Sequence, residues 1–241
     1  MFQKEALQST IKACGQTSFL VEVLADVAFK GHLEVVKFLV DEGVDVSSKL
    51  KDPRDDGKSI TPLHEAIRGK HLNVFRVLIA LGTNVDTNEL MGYAAKCGSG
   101  NICSYLMGIG TDVNKKDDNG CTPLHIALQE NNIITCRKLI KAGANVNLKD
   151  GDGYTPLHIA SQHCTADICL LLISACAFVN EENDDGNTPI HLAAYEGKLD
   201  IVKILAENQG DISLRNNMGQ TAIECAQHFN HFQVIEYLKN K

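Results

Sequence analysis

Tryptophan is absent from the 241-residue sequence, and aromatic residues make up only 5% of it. Proteins that stack single-stranded bases need aromatic platforms, so that class is set aside. An excess of positive charge is also missing: 23 Lys and Arg face 30 Asp and Glu, a net charge of −7. A nucleic-acid partner would call for a basic face, and none is expected here. There is no run of eighteen apolar residues, which excludes a helical membrane span. The most apolar early stretch, "FLVEVLADVAF", carries Glu22 and Asp26 and lacks a basic leader, so no signal peptide is expected. The nine cysteines are odd in number and irregular in spacing, unlike a disulfide framework; they read as reduced thiols of a cytoplasmic or nuclear protein. What the chain does have is 44% hydrophobic residues, ample for a folded core.

It also has an internal period. Thr-Pro-Leu-His begins at Thr61, Thr122 and Thr155, and Thr-Pro-Ile-His at Thr188, with a weaker echo at Thr221. From Thr122 onward the step is 33 residues. The stretches "TPLHIALQENNIITCRKLIKAGANVN" and "TPIHLAAYEGKLDIVKILAENQGDIS" resemble ankyrin repeats, and about residues 22–241 follow the same pattern. The resemblance implies an all-α fold: an ankyrin-repeat solenoid of stacked helix-turn-helix units with short β-hairpin fingers.

Two residue columns fix the register. One is Leu39, Leu78, Leu106, Leu139, Leu172, Leu205 and Leu238; the other is Val27, Ala66, Ala94, Ala127, Ala160, Ala193 and Ala226. The leucines are expected to fill the core, and the small residues to let paired helices approach. The expected organisation is an N-terminal capping segment 1–21, units 22–60, 61–88, 89–121, 122–154, 155–187 and 188–220, and a C-terminal cap 221–241. Both columns pass through 89–121, although its opening "ELMG" has lost Thr, Pro and His. The platform is therefore expected to be continuous, with two units between Thr61 and Thr122 and no finger at 86–89. The neighbouring 48–60 loop is six residues longer than usual and is expected to lean over that gap. Thr is expected to cap each first helix with its hydroxyl, and Pro to follow at the first helical position. Gly43, Gly82, Gly110 and Gly143 are expected to end the second helices. Cys176 and Gln209 replace this glycine, so 155–220 is expected to be less regular.

Candidate chemistry is thin. His64, His125, His158 and His191 recur near helix starts, where an imidazole can bond backbone groups, and no nucleophile or acid recurs beside them. Cys103, Cys136 and Cys169 share an apolar column, and Cys225 aligns with Leu192; these read as core thiols. The "HCTADIC" stretch (163–169) with Cys176 suggests zinc by composition, yet its members map to a helix end, a core face and a helix cap. Cys97 and Cys121 map to positions expected to be exposed. No metal, cofactor or catalytic residue is expected, and no enzyme; a metal protein or hydrolase is the alternative of another class.

Recognition remains. The resemblance implies that finger tips and exposed first-helix ends bind a partner protein. Those positions are Asp118, Asn119, Cys121, Gln129 and Glu130; Gly151, Asp152, Tyr154, Gln162 and His163; Asp184, Asp185, Asn187, Tyr195 and Glu196; and Asn217, Met218 and Gln220. Tyr154 and Tyr195 are expected to be exposed anchors. The finger "EENDDGN" (181–187) carries four acids and no base, whereas "KKDDNGC" is neutral, "LKDGDGY" is −1 and "LRNNMGQ" is +1. A basic partner segment is therefore expected there. The resemblance also implies oxygen-dependent hydroxylation at asparagines such as Asn114, Asn147 and Asn180. The expected protein is a monomeric, non-enzymatic scaffold or inhibitor, stand-alone or a fragment. An effector delivered into a host by a parasite or intracellular bacterium is the alternative use of the same surface.

Overall fold

A computed structural model describes residues 17–52, 59–81 and 86–241. The chain divides into two compact units, Met1–Leu106 and Met107–Lys241. The first holds α1 (Thr17–Lys30), α2 (Leu33–Asp41), strands β1 (Leu50–Lys51) and β2 (Ser59–Ile60), α3 (Pro62–Arg68), α4 (Leu72–Ala80) and α5 (Thr87–Lys96). Helix α6 (Gly100–Gly108) crosses the sequence boundary. The second unit contains α7 (Pro123–Gln129), α8 (Ile133–Lys141), α9 (Pro156–His163), α10 (Ala166–Ser174), α11 (Pro189–Tyr195), α12 (Leu199–Glu207), α13 (Ala222–His228) and α14 (Phe232–Lys239). The described residues thus form an all-α repeat architecture with little strand. In the second unit α7, α9, α11 and α13 pack in succession, each against the next, and α8, α10, α12 and α14 do the same.

The two columns explain this stacking. All seven leucines are buried, from Leu39 to Leu238, and so are the six alanines. Truncating such a leucine to alanine in a packed core costs about 2–5 kcal/mol. Val27 is only half-buried, and its neighbour Ala28 takes the closed position. Cys103, Cys136 and Cys169 are buried in the helix cores, and desolvation pushes the Cys136 and Cys169 thiols up to about 12. Helix α1 starts at Thr17, ahead of the expected unit boundary at 22; most of the expected capping segment lies outside the described residues.

The helix starts carry the expected threonine caps and add one feature. Each Thr-Pro-x-His turn is a capping box, in which the threonine side chain faces the N–H of the third helical residue and that residue's imidazole reaches back to the threonine backbone. In each Thr-Pro-x-His turn the backbone N–H of Thr61, Thr122, Thr155 or Thr188 donates to Nδ1 of the histidine three residues on, at 3.1–3.3 Å. The threonine Oγ1 lies 2.7–2.9 Å from the same nitrogen. At Thr122 the Oγ1 accepts the His125 N–H at 3.5 Å. At Thr221 the partner is Glu224, whose carboxylate accepts both Thr221 groups. A histidine at the third helical position thus plays the part that glutamate plays in the usual capping box.

Helix pairs α3/α4 and α5/α6 occupy the interval between Thr61 and Thr122, as the columns require. Where a finger would end, Asp86 instead caps α5 directly, accepting the Asn88 N–H at 2.8 Å. Gly82 and the rest of 82–85 lie outside the described residues, as does the tip of the long loop, 53–58. The base of that loop is an antiparallel pair, Leu50 opposite Ile60 and Lys51 opposite Ser59. Its described residues line a cavity of about 330 Å³ with Ala25 and Phe29 of α1 and Arg68 of α3. The expected position of the tip over Thr87 and Asn88 thus falls on residues outside the description.

At the second-helix ends, Gly43, Gly110 and Gly143 adopt φ near +90°, and Cys176 and Gln209 adopt +65° and +69°. The bulkier residues keep the left-handed cap rather than replacing it. Asparagines of the preceding repeat hold these turns. Asn147 Nδ2 donates to the Cys176 carbonyl at 2.9 Å and its Oδ1 accepts the Phe178 N–H at 2.8 Å. Asn180 does the same with Gln209 and Asp211, both at 2.8 Å. The expected irregularity of 155–220 narrows to one place: Cys164 is extended, where Asn131 and Gly197 are left-handed at the equivalent positions.

Candidate functional site

Four fingers of the second unit share one construction. Each starts with Asp or Asn: Asp117, Asp150, Asn183 and Asn216. Its Oδ1 accepts the N–H groups two and four residues later, at 2.8–3.1 Å. A backbone bond to the carbonyl four residues on closes each loop at 2.9–3.0 Å. The short acceptor side chain outcompetes other loop conformations, as Asp and Asn do in tight turns. Successive tips are tied by backbone: Gly151 N–H to Asn119 O, Asp184 N–H to Asp152 O, and Asn217 N–H to Asp185 O, at 2.9–3.2 Å. Gly186 satisfies two constraints here. Its φ is +73°, and a Cβ would stand 2.8 Å from the Asn217 nitrogen.

The histidines bind fingers to helices. Because Nδ1 accepts a backbone N–H, the ring proton belongs on Nε2. From there His125 donates to Tyr154 O at 3.1 Å, His158 to Asn187 O at 2.9 Å, and His191 to Gln220 O at 3.1 Å and Leu214 O at 3.0 Å. Desolvation lowers the pKa of all four column histidines, and that of His158 falls to about 4. These rings are structural pins, with both nitrogens engaged at His125, His158 and His191.

The expected site residues are distributed unevenly. Asp118, Asn119, Gln129, Glu130, Gly151, Asp152, His163, Asp184, Asp185, Glu196 and Asn217 are exposed, Met218 is 80% exposed and Tyr195 46%. Gln162, Asn187 and Gln220 are half-buried. Two expectations need correction. Cys121 is only 8% exposed, because the loop folds its side chain under the finger, 3.9 Å from Gln129 Nε2. Burial and then Asp117 push its thiol up to about 11. Tyr154 is half-buried, its ring edge-on to His158 at 5.8 Å, and burial followed by Asp185 raises its pKa. Cys97 is half-buried and Cys176 exposed. Among the described residues no group of three or more His, Cys, Asp or Glu is arranged to hold a metal.

Charge follows the fingers too. Lys149 Nζ lies 2.8 Å from both a Glu181 carboxylate oxygen and the Glu182 carbonyl. Lys116 reaches the Lys149 carbonyl similarly, at 2.5 Å. Lys149 thus offsets one acid of the 181–187 finger, while Glu182, Asp184 and Asp185 face solvent. Sequence reasoning overlooked the finger-base column 117, 150, 183 and 216, although it repeats at 33 residues. It also stopped short of His228 and Phe229, which fall in the columns of Tyr195 and Glu196.

Helix pairs, fingers and pins together match a known repeat. The family model described as "Ankyrin repeats (3 copies)" matches residues 21–89, 90–183 and 167–241. The chain belongs to the ankyrin repeat family. Ankyrin repeats bind other proteins, and the fold is typically a non-enzymatic interaction module. The chain is 32% identical over 111 residues to a palmitoyltransferase of Lachancea kluyveri, covering 44% of this chain and 15% of that protein. It is 35% identical over 96 residues to the RelA-associated inhibitor of Mus musculus, covering 38% and 11%. With a putative ankyrin repeat protein of Acanthamoeba polyphaga mimivirus it shares 28% over 89 residues, covering 33% and 12%. The chain thus spans no more than 15% of the length of these three relatives. No helix among the described residues is long and apolar enough to cross a membrane.

Proposed function

We propose that this ankyrin repeat chain is a scaffold or inhibitor that binds a partner protein across the fingers and inner-helix ends of its second unit. The supporting observation is the row of tips at Asp118–Asn119, Gly151–Asp152, Asp184–Asp185 and Asn217–Met218. Backbone bonds space these tips, and their side chains face solvent. A row fixed before binding costs little ordering entropy when a partner docks. The partner presents a basic segment to the 181–187 finger, where three exposed acids remain beside the Lys149–Glu181 pair. The chain acts as a monomer in the cytoplasm or nucleus, where its eight described cysteines stay reduced. The similarity to a protein named as an inhibitor accords with binding that occludes a partner.

Crosslinking with mass spectrometry after affinity capture from the native cell tests the surface. Crosslinks are expected at the finger tips and inner-helix ends; a map confined to the outer helices α8, α10 and α12 overturns the reading. The Asp184→Lys, Asp185→Lys double variant should weaken the captured complex and flatten its salt dependence. Unchanged affinity would remove the basic-segment assignment.

A further inference from the structure

Tyr195 and Phe229 form an exposed aromatic pair in the second unit. Their ring centroids are 4.4 Å apart at an interplanar angle of 67°, and 46% and 43% of the two residues is exposed. The pair is rigid. His231 Nε2 bonds the Tyr195 carbonyl at 2.9 Å, and the His231 ring lies nearly parallel to Phe229 at 6.1 Å. His228 adds an edge contact to Phe229 at 4.8 Å. Large apolar rings held this firmly toward solvent make an anchor site rather than a frayed end.

The chain itself indicates what such rings take. Residues 29, 68, 195 and 228 share one repeat column. In the first unit the Arg68 guanidinium sits 4.3 Å above the Phe29 ring. Tyr105 carries Arg76 at 5.5 Å, and Tyr237 carries Lys203 at 6.0 Å and Lys241 at 5.5 Å. Among the described residues Tyr195 and Phe229 carry no such cation. The segments around them, 195–197 and 228–231, contain one carboxylate, Glu196, and neither Lys nor Arg, and the next residue, Lys198, donates to the Cys164 carbonyl at 3.2 Å. Glu196 is exposed, and among the described residues its Oε1 meets a long contact of 3.5 Å from Gln162 Nε2. Aromatic faces beside a carboxylate attract a cation by both quadrupole and charge.

We propose that Tyr195 and Phe229, with Glu196 beside them, receive the cationic side chain of an arginine or lysine on the bound partner. The assignment rests on the protein-interaction reading above. It adds to the acidic finger a second and chemically different contact for the same basic segment. The finger steers the segment by charge, and the aromatic pair grips one side-chain head.

The test uses the full chain and a capped penta-arginine peptide at low ionic strength, followed by calorimetry and by the aromatic resonances of Tyr195 and Phe229. Both rings are expected to shift on titration and to stay unmoved by a capped penta-glutamate peptide. Tyr195→Leu should weaken binding by about threefold, the range of an exposed cation–π contact. Tyr195→Phe should restore it. Glu196→Gln, which leaves the rings in place, should weaken binding at low salt and lose its effect at high salt. If Tyr195→Leu and Phe229→Leu bind the peptide like the parent while the Asp184→Lys, Asp185→Lys variant does not, the aromatic site is wrong and the acidic finger stands. If no variant changes the affinity, both assignments fall.

Discussion

The Nε2 atom of His158 lies 2.9 Å from the carbonyl oxygen of Asn187, the last residue of the following finger. Nδ1 of the same ring accepts the Thr155 N–H at 3.1 Å. One neutral imidazole therefore joins a helix start to the loop of the next repeat, and protonation would put a hydrogen where an acceptor is required.

Acid should consequently loosen the second unit. The pKa of His158 is about 4 in the folded chain against 6.5 for a free histidine, and His125 and His191 are displaced in the same direction. The unfolded chain binds these protons first, so this stabilisation is complete above about pH 6.5 and is lost as pH falls toward 4. Urea midpoints between pH 7 and pH 4 should fall, and the fall should shrink in His158→Gln. A midpoint independent of pH over that range would contradict the pin geometry.

Two left-handed caps carry an avoidable cost. Cys176 and Gln209 adopt positive φ with side chains, where Gly143 sits at +90° with open space around its Cβ position. Cys176→Gly and Gln209→Gly should each stabilise by about 1 kcal/mol. Cys176→Ala should give no gain. Equilibrium unfolding decides, and equal effects of the Gly and Ala variants would refute backbone relief as the cause.

Finger spacing can be read from two glycines of equal φ. Gly186→Ala meets both the left-handed penalty and the Asn217 backbone, whereas Gly219→Ala, at +74°, has nothing within 4 Å. The first should cost clearly more than the second, which should stay near 1 kcal/mol. Loss of amide protection at Asn217 should accompany only Gly186→Ala. Equal costs would mean the tips are not packed on one another.

Thiol reactivity should follow the observed burial, not the column positions. An alkylating reagent applied to the native protein should label the exposed Cys176 quickly and leave Cys121, Cys136 and Cys169 unlabelled, since their burial disfavours the thiolate. Rapid labelling of Cys121 would argue that its finger opens readily.

The contrast at Cys121 marks the limit of what the sequence carries. Column arithmetic located the Leu and Ala faces and called for two helix pairs between Thr61 and Thr122, because these depend on spacing alone. It could not tell that Cys121 tucks under its loop, since that depends on how the Asp117 carboxylate folds five residues. Nor did it separate Tyr154, which leans on His158, from Tyr195, which stands in solvent at a helix end. The threonine caps were located correctly, and the imidazole that completes each of them from the third helical position emerged only from the geometry.

The bonds that tie tip to tip run between backbone atoms, Asn217 alone adding its side chain, to the Asp184 carbonyl at 2.9 Å. Residues 118, 119, 152, 184, 185 and 218 therefore contribute no side chain to the framework that positions them, whereas Gly151 is fixed, since a Cβ there would stand 2.6 Å from the Asn119 carbonyl oxygen. Those six places can be respelled without altering their spacing, as type is reset in a fixed frame. A lineage, or an engineer, can change what this chain recognises while leaving what makes it fold untouched.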